Sequence, residues 1–70
     1  MDDYKSMWRA AYELHAACME IIAEADFWPK FWGKADEFVA LHNYHPFAVN
    51  IMLAVHAACE HEEKRLRGGA

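Results

Sequence analysis

Residues 26–46 read DFWPKFWGKADEFVALHNYHP, and this stretch decides the fold. It holds two chain breaks with one helix between them. At its start, Asp26 suits a helix cap. Pro29 falls in the first turn, where a missing N–H leaves no bond unmade. Phe31, Ala35, Phe38 and His42 then recur at helical spacing, with Trp28, Trp32 and Val39 beside them. Gly33 weakens this helix by about 1 kcal/mol relative to alanine, or marks a place where another backbone or a ring comes close. At the end of the stretch, His42-Asn43-Tyr44-His45-Pro46 joins a turn-tolerant asparagine to a proline whose predecessor avoids the α region. Asn43 or His45 is the expected cap of the helix that Pro46 opens.

Upstream, residues 3 to about 25 read as one long helix capped by Asp2 or Asp3. Met7, Ala11, Leu14, Cys18, Ile21 and Ala25 form one stripe, widened by Trp8, His15 and Ile22. Lys5, Arg9, Glu13, Glu20 and Glu24 lie mostly away from it. Downstream, a third helix is predicted from about Pro46 to Leu66, with Arg67-Gly68-Gly69-Ala70 as a frayed end. Phe47, Ile51, Ala54, Val55, Ala58 and Glu62 mark its expected inner side, with Ala48, Met52 and Cys59 beside them. Nothing reads as a strand, a linker or a low-complexity segment. The expectation is a single all-α domain over residues 1–70: two long amphipathic helices around a shorter, aromatic-rich one. The first connection is very short, so the first two helices are expected to be antiparallel or sharply angled neighbours.

Composition narrows the function. Seventy residues bury a smaller fraction of their surface than a large chain does, yet 56% of them are hydrophobic and 14% aromatic. Some of that apolar surface is expected to be covered by a second copy or a partner, so a homo-oligomer is predicted. A net charge of -4 argues against general nucleic-acid binding, which needs a basic face to neutralise phosphates. Lys64, Arg65 and Arg67 cluster where cations suit a helix C-terminus. Two cysteines are too few for a disulfide framework. No leader-like start and no apolar run of membrane-spanning length is seen. The expectation is a cytoplasmic protein with free thiols and no membrane association.

One tetrapeptide repeats: His15-Ala16-Ala17-Cys18 and His56-Ala57-Ala58-Cys59. His and Cys three apart share a helix face, and two such pairs match the donor set of a tetrahedral zinc site. In an up-down-up bundle the two pairs also fall at one level. The competing reading is two core cysteines acting as small hydrophobes beside partly buried histidines, with no cofactor. A di-iron site is not expected, because no Glu among Glu13, Glu20, Glu24, Glu60 and Glu62 precedes a His by three positions. Catalysis is not expected either. Ser6 is the only serine, threonine is missing, and no set of nucleophile, base and orienting group stands out.

The remaining signal is aromatic. Trp8, Trp28, Trp32 and Tyr44, with Arg9, Lys30 and Lys34 near them in sequence, have the chemistry to anchor a protein interface or to stack on a base whose phosphate meets a cation. Most other rings, Phe31 and Phe38 first, are expected to fill the core.

The pattern Tyr4…Trp8…Tyr12…Leu14-His15, then Asp26-Phe27-Trp28…Phe31…Ala35-Asp36-Glu37-Phe38, then Pro46-Phe47…Ile51…Leu53-Ala54-Val55 resembles a group of small helical proteins. These are encoded in prophages and mobile elements of gut Firmicutes. The likeness covers about 60 of the 70 residues. It implies a phage-associated accessory protein without assigned activity. Such a protein is expected to act in counter-defence, by binding a host protein or by sequestering a small anionic nucleotide signal.

Overall fold

The computed structural model describes residues 3–68, which form three α-helices and no strand. Helix α1 spans Tyr4–Ile21, α2 spans Phe27–Leu41 and α3 spans Pro46–Gly68. Asp3 caps α1 through its side chain, which accepts from the Ser6 N–H at 3.0 Å. The alternative cap, Asp2, lies outside the described residues, as do Gly69 and Ala70.

Helix α1 stops four residues short of its predicted end. The chain turns over Ile22–Asp26, where the Glu24 N–H donates to the Ile21 carbonyl at 3.0 Å and the Phe27 N–H to the Glu24 carbonyl at 3.1 Å. Ala23 and Ala25 are good helix formers, yet both are exposed in the turn. Reversal there brings Phe27 into the core, and burying that ring outweighs the propensity of two alanines. Asp26 stands at the cap position of α2, but its side chain makes no capping bond and faces Lys30 instead at 3.5 Å.

The second break closes as expected, with one strained feature. Asn43 and Tyr44 both take left-handed φ, 55° and 57°. This bend lets the Tyr44 N–H reach the Val39 carbonyl at 2.9 Å, which satisfies one of the last carbonyls of α2. His45 then caps α3, its Nδ1 accepting from the Phe47 N–H at 3.0 Å. The basic end of α3 is laced by ion pairs of Glu62 with Arg65 and of Glu63 with Arg67. The helix continues to Gly68, two residues beyond its predicted end.

The core is one cluster. Helix α1 contributes Met7, Ala11, Leu14 and Cys18, as its stripe predicted; α2 contributes Phe27, Phe31, Ala35, Phe38 and Val39. From α3 come Ala48, Ile51, Met52, Val55 and Cys59. Ala54 and Ala58, expected inside, are exposed, and Phe47 and Glu62 are half-buried. The inner face of α3 is thus turned by most of one residue's ~100° step from its sequence-predicted side. The reason lies in its neighbours. Helix α3 packs on both α1 and α2, and Phe31 of α2 meets His56, the helical neighbour of Met52 and Cys59.

Tyr4 and Trp8 lie against Phe47, while Cys18 lies against Cys59, so α1 and α3 run parallel. Helix α2 runs back between them in sequence, antiparallel to both. Three grooves result, one between each pair of helices. Among the described residues no helix is long and apolar enough to cross a membrane.

Candidate docking groove

The groove between α1 and α3 is open and predominantly apolar. Its α1 wall is Trp8, Tyr12 and His15, one above another at four- and three-residue spacing. Its α3 wall and floor are Ile51, Ala54, Val55 and Ala58, with Ala11 from α1 completing a depression of about 340 Å³. None of these residues carries a formal charge when His15 is neutral. Trp8 is 60% exposed and Tyr12 72%, high values for large aromatic rings. Trp8 is braced from below by Phe47, edge-on at 5.4 Å, and Phe47 in turn by Tyr4 at 5.0 Å. The rings are thus held at the rim of a shallow trough floored by alanines.

The groove between α2 and α3 is filled. His56 lies among Trp28, Phe31 and Trp32, at centroid distances of 5.2, 5.5 and 5.2 Å. Trp28 is half-buried there and Trp32 remains 42% exposed. The groove between α1 and α2 is mixed in character, lined by Ala10, Glu13, Leu14, Lys34, Glu37, Phe38 and Leu41.

The seven residues expected to form one binding surface are therefore spread over several. Trp8 belongs to the α1/α3 groove. Arg9 lies on the neighbouring outer flank of α1, beside Lys5. Trp28 and Trp32 belong to the α2/α3 side, and Lys34 to the α1/α2 groove. Tyr44 stands at the α2–α3 turn, 69% exposed. Lys30 is bound to Glu24 and faces Asp26; the Glu24 carboxylate raises its pKa above the ordinary lysine value. Tyr12, Ala54 and Ala58 were missed as surface residues. The signal for Tyr12 was its four-residue step from Trp8, and the alanines carried no signal beyond helix propensity.

The repeated tetrapeptide does come to one level. Cys18 and Cys59 are both fully buried and their thiols interact side chain to side chain. Neither is in a disulfide. Burial pushes both thiols up, Cys59 to about 12, with the proximity of Cys18 adding to the effect. The histidines diverge for a geometric reason. A residue three positions before the cysteine lies ~60° around the helix from it. In parallel helices that rotation has the same sense, so it carries the two imidazoles to opposite flanks of the thiol pair. His15 goes to the α1/α3 groove and His56 to the tryptophans of α2. Among the described residues no three His, Cys, Asp or Glu side chains are gathered as a ligand set.

Comparison with protein-family models, with curated proteins and with solved structures finds no match.

Proposed function

We propose that the protein works by binding rather than by catalysis, and that it docks an apolar helix of a protein in the α1/α3 groove. One observation carries the reading. Trp8 and Tyr12 stand exposed beside a charge-free, alanine-floored depression, the arrangement in which an amphipathic helix lays its apolar face. Alanines on the floor let a backbone approach closely, and rigid aromatic rings at the rim supply contact area at small entropic cost. In the mobile-element setting that the resemblance implies, a host defence protein is one candidate occupant. Sequestration of an anionic nucleotide draws less support. Of its three candidate cations, Lys30 is already held by Glu24 and Asp26, and Arg9 and Lys34 stand on different sides of α1.

The test is a photo-crosslinking residue at Tyr12 in the expressing cell, with the same residue at Lys34 as the control groove. The adduct is identified by mass spectrometry, remade in pure form and titrated calorimetrically. Binding that is lost on Ala58→Glu supports the reading. Equal labelling at both positions, or binding indifferent to Ala58→Glu, refutes it.

A further inference from the structure

The α1/α3 face carries both a protrusion and a recess. Trp8 projects near the start of the face, and the alanine-floored depression lies further along it. A surface with knob and hole on one side is suited to pair with itself about a two-fold axis, since each copy then offers its knob to the other's hole. We propose that the helix docked in this groove is α1 of a second copy of this chain. The two molecules pack face to face with α1 antiparallel to α1, about an axis passing near Tyr12.

Register supports this placement. An axis at Tyr12 sets Trp8 of one copy opposite residue 16 of the other. Residue 16 is alanine, and the parallel register that pairs Cys18 with Cys59 puts Ala57 and Ala58 at the same height on α3. Trp8 therefore comes to the level at which Ala58 and His15 line its partner's groove.

Charge supports it as well. On the outer flank of α1 the basic residues Lys5 and Arg9 occupy the first half and the acidic Glu20 the second. All three are exposed. Antiparallel apposition brings Lys5 of each copy toward Glu20 of the other, whereas parallel apposition would set like charges together.

The area suffices. The molecule measures 45 × 19 × 16 Å with 4902 Å² of accessible surface. One broad side of such a body is roughly a fifth of its surface, or about 1,000 Å², against the ~800 Å² that each partner contributes to a standard stable interface. Three exposed rings, Tyr4, Trp8 and Tyr12, lie on the proposed face.

This inference rests on the docking role of the groove, and its test separates the two. Sedimentation equilibrium of the purified full chain is expected to give twice the 8.1 kDa chain mass. Ala58→Glu, at an exposed helical position, places an unpaired charge in the interface and is expected to weaken the dimer by about a hundredfold. Trp8→Ala is expected to weaken it too, with the helical circular dichroism signal of both variants retained. Lys5→Glu should weaken self-association, and adding Glu20→Lys in the same chain should restore it, because a two-fold contact exchanges the pair. A monomer at every concentration overturns the inference, and so does a dimer indifferent to these substitutions. If the wild-type chain is monomeric while a crosslinked protein binds at Tyr12 in an Ala58-dependent way, the docking role stands and only the second copy is wrong. If neither association depends on the groove, both fail.

Discussion

The buried thiol pair makes the fold sensitive to alkali in a way that can be calculated. Cys18 and Cys59 touch in the core, and folding holds both as neutral thiols. The pKa of Cys59 rises from 9.0 to about 12. A group whose folded pKa is raised contributes its full stability below the unfolded value and loses it as the pH climbs toward the folded value. The window is therefore about pH 9 to 12. Near pH 10.5 the unfolded thiol is largely ionised while the folded one is not, so Cys59 alone removes about 2 kcal/mol, approaching about 4 kcal/mol near pH 12. Cys18, also raised, acts in the same direction. A 70-residue chain has roughly 4–10 kcal/mol of stability in all, so the loss is large. The assay is urea unfolding followed by circular dichroism at pH 7.5 and near 10.5, with a phosphine reductant present, on the wild type and on Cys18→Ala/Cys59→Ala. The comparison with the variant isolates the contribution of the two thiols. The wild type should lose at least about 2 kcal/mol more than the variant between the two pH values. Equal losses would refute the argument, since they would mean that the thiols ionise without opening the core.

Phe31→Ala should destabilise by about 3–5 kcal/mol, because the ring is fully buried against Phe27, Trp28, Trp32 and His56. Thermal melts should then show a midpoint lower by roughly 15–30 °C. Gly33→Ala should stabilise by about 1 kcal/mol, read as a higher urea midpoint, because an added Cβ meets nothing within 4 Å. Tyr44→Gly should also stabilise, by about 1 kcal/mol, because a φ of 57° strains any residue with a Cβ. A lower midpoint there would mean that the exposed ring contributes more than its strained backbone costs.

Much of the fold was legible along the chain. Three helices, breaks at residues 26 and 42–46, and the buried stripe of α1 all follow from local rules: spacing at 3.6 residues, caps, and proline chemistry. Even Gly33 could be read as a weak point, although the structure shows open space where close contact was one of two readings. The errors share one cause. Periodicity says that a helix has an apolar face but not which neighbours will claim it. On α3 two adjacent stripes competed, and packing against α2 as well as α1 selected the one through Ala48 and Cys59, leaving Ala54 and Ala58 outside. The same packing stopped α1 early, since Phe27 reaches the core only if the chain turns at Ile22. The repeated tetrapeptide shows the division most directly. Its spacing put histidine and cysteine together on each helix, and the up-down-up order put the two copies at one height. Only the parallel packing of α1 and α3 decided that the thiols meet while the imidazoles part, because one rotation applied to two parallel helices that face each other carries their side chains to opposite flanks of the seam.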